Sequence, residues 1–586
     1  MKKATLFIIA LLCLLTAHAG HVDETRARLV ASNFWQIVTG TAPHLENITS
    51  HTDLSELYLF DVDNGKGYIV VSADDVAYPV LAYSLSNPFP TSNIAPAVMY
   101  MLHNYEHHII FAKNLREGAV AAVEKEWKSL EHGTAPDTKT STAVAPLMTS
   151  QWSQNEPYNG MCPQAEGQNR CVTGCVATAM AQVMRYWRFP EHGVGSHSYS
   201  YSDRPAAVTH MVGDSNAVWL YDTLTADFEH TNYDWDNMPD NASPSSSDTE
   251  KEAVATLLFH CGVAVDMVYT PTGSGAFMTR DEVINFDTIN YSTEIAAEVV
   301  IPQYFGYSQN TVGILKNDYT TLEWTAMLKN EISNGRPVIF AGNDPGSDYG
   351  HAFVLDGYNA YLYFHCNFGW GGQYDGDFRV AEIAPSHSGH AFTDKQSGIF
   401  YMYPPGQGFY SVDVVCSGDG GSVYDGSTAV CDSTLRISLD DSERLLKIVA
   451  DQGYSVSKIL ADKDTLFINN SVADGHDISC SVADEPRTII CEFSNRRSDV
   501  KLKVFFAGEP LSIANARTTE SCKVFAHNNK IEIRGSNIGQ IQVFDAIGRH
   551  VSSHNAHGSD VISLEVPHPG VYIVRCCGQS HKVVVL

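Results

Sequence analysis

The chain is poor in basic residues: of 586 residues only 38 are Lys or Arg against 67 Asp or Glu, a formal net charge of −29. No Lys/Arg block stands out, which argues against a nucleic-acid partner, since such partners are held through clustered cations. Beyond the first residues no run of about 20 apolar residues occurs, so no membrane span is expected. No CxxC…CxxC arrangement exists, which argues against a structural zinc site. No tandem repeat is strong enough for a solenoid. Apolar material is not lacking: 44% hydrophobic and 10% aromatic residues suffice for packed cores and exclude wholesale disorder. At about 100–200 residues per domain, the length corresponds to three to five units.

The first residues read as an export address. Lys2 and Lys3 form a charged start, Leu6 to Thr16 a short apolar stretch, and Ala17-His18-Ala19 a small-x-small cleavage pattern. Residues 1–19 are therefore expected to be a signal peptide, and the product to be secreted or cell-surface, exported through the periplasm. Thirteen cysteines are present, and Cys13 leaves with the leader. Cys416/Cys431 and Cys480/Cys491 could each close a hairpin in an oxidising compartment, although spacing alone does not fix the pairing.

After the leader, Ala27, Val30, Ala31, Phe34 and Ile37 recur at helical spacing and predict a helix from Thr25 to Val38. Two β-rich runs, 57–63 and 67–73, flank Asn64-Gly65, a hairpin signal. A second helix is expected from Ala97 to Arg116. From Glu131 to Pro146 the chain turns polar and Pro-containing, as an exposed linker and cleavage site would. A helix opening at Gly174-Cys175 is followed by PVIFAG, HAFVLDGY, LYFHCNFGW and GDFRVAEI, read as successive strands, which suggests α+β. Beyond Pro404, runs such as TLRISL, TIICEF and VKLKVFF alternate apolar and polar residues between turns, as in β-sandwich modules.

Chemistry is carried by an ordered set. In TGCVATAMAQVMRYW, Cys175 begins a helix, where backbone N–H groups and the helix dipole favour a thiolate. In DYGHAFVLDGY, His351 opens an apolar strand and could serve the thiol as base and later as acid. In HCNFGWGG, Asn367 could accept the second ring N–H of the histidine and fix its tautomer, and Trp370 could roof that bond. Gln154, in QWSQNEPYN, could join the backbone N–H of Cys175 in an oxyanion hole. Taken singly each residue is weak; the order Gln, Cys, His, Asn, Trp is specific.

From Ser150 to Tyr403 the chain resembles the streptopain-like family of papain-fold cysteine peptidases. The resemblance rests on SQNEPYN, GCVATAMAQVMRYW, the NYDW around Trp235, GHAFVLDGY and NFGWGG with DGDFRV. It implies Cys175 as nucleophile, His351 as base and acid, Gln154 as oxyanion donor, and Asn367 and Trp370 as supports of the histidine. It implies further that Ser274 and Gly350 touch the substrate backbone and that Trp235 flanks the cleft. Phe368 stands where a tryptophan is frequent, Ala341 where a glutamine can occur, and the loop before His351 is more acidic than usual. The segment ELYLFDVDNGKGYIVVSADDVAYPVLAYS resembles the family's propeptide, and IQVFDAIGRHVSS with LEVPHPGVYIVRC and HKVVVL resembles a type IX secretion sorting domain.

The expected organisation is a signal peptide over 1–19, an inhibitory propeptide over 20–145, a papain-like two-subdomain catalytic domain over 146–404, a β-rich accessory domain over 405–515 and a sorting domain over 516–586. The expected activity is that of a cysteine endopeptidase made as a zymogen. It needs no cofactor or metal and acts on protein and peptide substrates, with its own propeptide and the type IX secretion machinery as partners. The alternative is a surface adhesin or binding protein on an inactive peptidase scaffold. Other signals have blander readings. His103, Glu106 and His107 satisfy H-x-x-E-H but read as a half-exposed helix face, and no third ligand is evident. Cys171 and Cys175 have the wrong spacing for a C-x-x-C pair, and GDGGS (418–422) lacks the helix a phosphate cradle needs.

Overall fold

Local signals set most of the element ends. Helix α1 (Glu24–Thr39) starts where the Asp23 carboxylate accepts the Arg26 N–H and stops at left-handed Gly40; Ala27, Val30, Ala31 and Phe34 form its buried stripe. Strands β2 (Leu57–Val62) and β3 (Gly67–Ser72) pair through the turn at Asn64-Gly65, with Val62 opposite Gly67. Helix α2 (Pro96–Leu115) begins with a proline at its first turn, and α3 (Ala121–Glu131) follows it. The expected helices and hairpin are thus present within a residue or two; α3 and the short strands β1 (Leu45–Asn47) and β4 (Val80–Ser84) are additions.

The computed structural model describes residues 20–136, 143–164, 169–200, 223–285, 292–343, 350–380, 384, 396–508 and 523–585, apart from 93, 117, 442, 469–470, 473–476, 495, 528–529, 536–537, 547, 557–560 and 577–578. The expected leader, the middle of the linker and the acidic loop before His351 lie outside the described residues.

In the catalytic region, α4 (Cys175–Trp187) is buried almost all round from Val176 to Met184. It is packed by α5 (Asp248–Ala264) in a core that includes Met180, Val183, Leu257, Leu258 and Phe305. Two further helices, α6 (Arg280–Asn285) and α7 (Ala297–Phe305), and the antiparallel pair β5 (Ser196–Ser200) and β6 (Thr223–Asp227) complete this half. The other half is a sheet, β7 (Val312–Leu315), β8 (Val338–Asn343), β9 (Gly350–Tyr358), β10 (Phe364–Asn367), β11 (Gly376–Phe378) and β12 (Ser397–Phe400), with α8 (Thr321–Ser333) against it. Strands β9 and β10 are antiparallel neighbours turning after Tyr358, as the His351–Asn367 spacing predicts. The architecture is α+β.

The N-terminal region does more than cover this sheet: it extends it. One ten-stranded sheet runs β1-β2-β3-β4-β11-β10-β9-β8-β12-β7. The join is β4 to β11, with Ala82 opposite Phe378 and Tyr83 opposite Asp377. Helix α2 lies on the same sheet and shares one core with it, in which Tyr100, Leu102 and Ile109 meet Phe340, Phe353 and Leu355. Each large buried side chain contributes about 1.5–3 kcal/mol, whereas a buried ion pair such as Arg379–Glu126 (2.5 Å) contributes about nothing net. Hydrophobic area therefore holds the N-terminal region down.

Residues 409–508 form two further sheets, of six and five strands, joined by the disulfide Cys416–Cys431. Cys480 and Cys491 stand directly opposite in a second hairpin with their sulfurs 2.9 Å apart, as free thiols. This β-sandwich is fastened to the catalytic region: Asn310 Nδ2 donates to Leu439 O (2.9 Å) and Arg336 Nη1 to Phe409 O (2.9 Å). A separate compact unit comprises residues 451–455 and 507–586. Its strands lie in sheets of three and four, around Ile531, Ile533, Ile541, Val543 and Val574.

Candidate active site

The site is built around the turn into α4. Gly174 has φ 87° and caps the helix. A Cβ there would lie 2.7 Å from the Met267 sulfur and 3.1 Å from the Ser274 carbonyl oxygen, so both conformation and space require glycine. Cys175 follows at the first helical position, partly exposed. Thr173 N donates to Gln154 O (3.1 Å), which brings the backbone of Gln154 beside the residues entering the helix.

His351 enters from β9. Gly342 is its partner on β8, and Ala341 faces Ala352. The Ala352 N–H reaches the Cys175 sulfur, so the strand that carries His351 meets the start of α4 at the thiol. Burial is the largest influence on that thiol and raises its pKa above the ordinary value. The N–H groups of Ala352, Val176 and Cys175 itself act in the opposite sense, and Glu282 adds to the rise. The lowering expected from the helix start is thus outweighed, because desolvation penalises the thiolate more than three N–H groups favour it.

Asn367 ends β10 and is 3% exposed. Its Oδ1 accepts from Gln182 Nε2 (2.9 Å) and Gly369 N (3.1 Å), and its Nδ2 donates to Ser150 O (2.7 Å). Trp370 is half-buried between Gly369 and Gly371, and Gly371 N donates to Trp152 O (2.9 Å), tying this turn to the segment that leads to Gln154. Four expected residues, Gln154, Cys175, Asn367 and Trp370, are thereby linked through short backbone or side-chain bridges. His351 is joined to them through β9.

The three expected substrate contacts separate. Gly350 is exposed at the start of β9, next to His351. Ser274 donates its hydroxyl to Val172 O (2.7 Å), in the segment entering α4, and accepts from Thr270 N of its own loop (3.1 Å), while its carbonyl borders Gly174. Trp235 donates its indole N–H to Pro190 O (2.8 Å), beyond the C-terminal end of α4. A helix of 13 residues spans roughly 20 Å, so Trp235 sits at the opposite end from the thiol that opens the helix. The expected flanking position is not the one it takes; core packing with Tyr233 claims it.

Of the H-x-x-E-H residues, Glu106 accepts from Ser55 N (2.6 Å), Ser55 Oγ (2.8 Å) and Glu56 N (2.9 Å), and His103 faces Asp53 (3.4 Å). These are tertiary bonds within the N-terminal region. Sequence reading missed Gln182, whose signal was an amide seven residues after Cys175 in a helix whose only other polar side chains past the thiol are Thr178, Arg185 and Tyr186. It also missed Tyr100, which packs so closely on Gly342, the partner of His351, that a Cβ there would overlap the Tyr100 hydroxyl.

Residues 152–378 match the Peptidase C10 family and residues 19–109 the Spi protease inhibitor family. The thiol protease/hemagglutinin PrtT of Porphyromonas gingivalis is 28% identical over 392 residues, 65% of this chain; the chain spans only 41% of that relative's length. Streptopain of Streptococcus pyogenes is 28% identical over 357 residues, covering 58% of this chain and 78% of streptopain. Among solved structures, a prointerpain A fragment of Prevotella intermedia is 31% identical with a TM-score of 0.48, covering 62% of this chain and 99% of the fragment. Active interpain A cysteine protease from the same organism is 35% identical with a TM-score of 0.36, over 46% of this chain and 98% of that one. With the family match over residues 152–378, and with a cysteine at the helix start facing a histidine-bearing strand, the chain carries a catalytic region of the Peptidase C10 family of papain-like cysteine peptidases together with a Spi-type propeptide domain.

Proposed function

We propose that the chain is a secreted cysteine endopeptidase made as a zymogen, with Cys175 as nucleophile and His351 as its base and acid. The observation that carries this reading is the meeting of the α4 start with β9 at one sulfur. In the reaction, Cys175 thiolate attacks a peptide carbonyl, and the oxyanion rests against the Cys175 N–H and the Gln154 amide. His351 gives its proton to the departing amine, and the thioester is then hydrolysed by a water that His351 deprotonates. Asn367 and Trp370 support the histidine, and Gly350 and Ser274 border the substrate backbone. Protein and peptide substrates, export by a leader over 1–19 and a type IX sorting role for residues 516–586 belong to the same proposal.

The hold of the N-terminal region on the catalytic sheet, through β4 on β11 and α2 over β8 and β9, supports latency. Removal of the pro-segment near residues 140–146 would uncover the sheet. Bonds from Val144 N to Tyr358 O (2.8 Å), Leu147 N to Asp356 O (2.9 Å) and Met148 N to Asp356 Oδ2 (2.8 Å) favour a cut ahead of Val144, since they hold the following residues on β9. The test compares the leaderless chain with Cys175→Ala under reducing conditions. The unmutated chain is expected to trim itself near the linker and to react with a thiol-directed epoxide, while Cys175→Ala stays full length and unlabelled. An unlabelled, untrimmed parent chain would favour the binding-protein alternative.

A further inference from the structure

Gln182 lies seven residues after Cys175, on the same face of α4, and is 0% exposed. Its Oε1 accepts from Trp152 N (3.1 Å) and Ser150 Oγ (3.1 Å), and its Nε2 donates to Asn367 Oδ1 (2.9 Å). Asn367 closes the ring by donating from Nδ2 to Ser150 O (2.7 Å). The amide orientations are forced. Trp152 N–H can only donate and the Ser150 carbonyl can only accept, so each amide has one arrangement that satisfies both neighbours. The ring joins three segments: the nucleophile's helix, the stretch two residues short of Gln154, and the end of the strand beside that of His351.

We propose that Gln182 is a positioning residue for hydrolysis at Cys175: its amide sets the registry of the Gln154 segment and of Asn367 against the start of α4. The proposal rests on the reading of Cys175 as nucleophile. A side chain that merely filled space would need volume but not a directed donor and acceptor. Here both polar ends are used, the oxygen on the Ser150–Trp152 segment and the nitrogen on Asn367. Loss of either end frees Trp152 N–H or Asn367 Oδ1 to seek other partners, which shifts the attached segment relative to the sulfur.

The test uses the full chain after maturation, with kcat and KM for a peptide substrate expressed per thiol titrated by an irreversible epoxide. Gln182→Met keeps the volume and removes both polar ends; a misplacement of order 1 Å costs about 10²-fold, so kcat is expected to fall by about that factor with KM within about twofold. Gln182→Glu supplies the second readout. Its neutral carboxyl keeps a donor and an acceptor, whereas its ionised form loses the donor and sets charge against Asn367 Oδ1. Activity of Gln182→Glu is therefore expected near the parent's in acid and to decline as that carboxyl ionises, a pH limb the parent lacks. Should Gln182→Met fail to fold, this limb decides alone. Parent-like kcat per titrated thiol in folded Gln182→Met, or in Gln182→Glu at a pH where the carboxylate infrared band shows it ionised, overturns the proposal, whatever the melting temperatures. A parent chain that neither labels nor cleaves removes the Cys175 reading first, and this proposal with it.

Discussion

Single residues at the turn into α4 do work that no neighbour can take over. Gly174 combines φ 87° with a Met267 sulfur 2.7 Å from where a Cβ would stand. Gly174→Ala is expected to cost about 1–3 kcal/mol from the backbone conformation alone, and further from displacing Met267. It would also move Cys175 away from the Ala352 N–H. Thermal unfolding and epoxide labelling rate should both fall, the second by more than the loss of folded protein explains. Glycine before cysteine was legible as a sharp turn, because a left-handed residue before a helix leaves a local signature. The partner that makes glycine obligatory, Met267, comes from 93 positions away and left none.

At the scale of elements, the propeptide acts as added strands. Strand β4 occupies the edge of β11, and α2 lies over β8 and β9, so the propeptide region and the catalytic sheet form one hydrogen-bonded sheet over one core. Across this junction Arg379 Nη2 pairs with Glu126 in α3 (2.5 Å), and the guanidinium also lies over the Tyr78 and Tyr363 rings. Removing one partner of a buried pair leaves the other uncompensated, at about 3–5 kcal/mol. Glu126→Ala is therefore expected to speed propeptide release. A time course of maturation should shorten at least tenfold, with kcat of the matured enzyme unchanged because Glu126 leaves with the propeptide. Strands β2, β3 and β8 to β10 were readable from alternation and turns. Strand β4 was not: like β3 it is buried at every position and lacks a two-residue period, but unlike β3 it has no Asn-Gly hairpin turn beside it to mark it.

The whole molecule carries a titrating cluster beside that junction. His365 Nδ1 meets Asp356 Oδ1 at 2.6 Å, near Asp375 and Asp377 on β11, with Asn359 and Tyr83 beside Asp377. Burial raises Asp375 to about 7 and Asp377 to about 6. Burial alone would lower His365, but the hydrogen bond and charge of Asp356 outweigh it and hold the imidazole at about 9. All three shifts are upward, so the folded chain binds more protons than the unfolded one. Their stabilising effect is complete in acid. It declines between about pH 4 and 7 for the carboxyls and between about 6.5 and 9 for the histidine. The melting temperature of the full chain is expected to drop from pH 5 to pH 9, and Asp375→Asn, which can still accept from Phe368 N, should flatten the lower part of that slope.

From sequence alone came whatever rests on near neighbours: the α+β class, the helix starts, the hairpin at Asn64-Gly65 and the β9–β10 pair. These follow from periodicity, turn chemistry and the fixed needs of a thiol at a helix start. Only the tertiary structure decided what depends on distant surroundings. Burial at the turn into α4 reversed the expected direction of the Cys175 shift, and core packing placed Trp235 at the far end of α4. Asn367 and the Gln154 segment proved to share one amide, Gln182. Desolvation and hydrogen-bond partners are properties of the packed interior, and the linear order of residues does not state which of them will meet there.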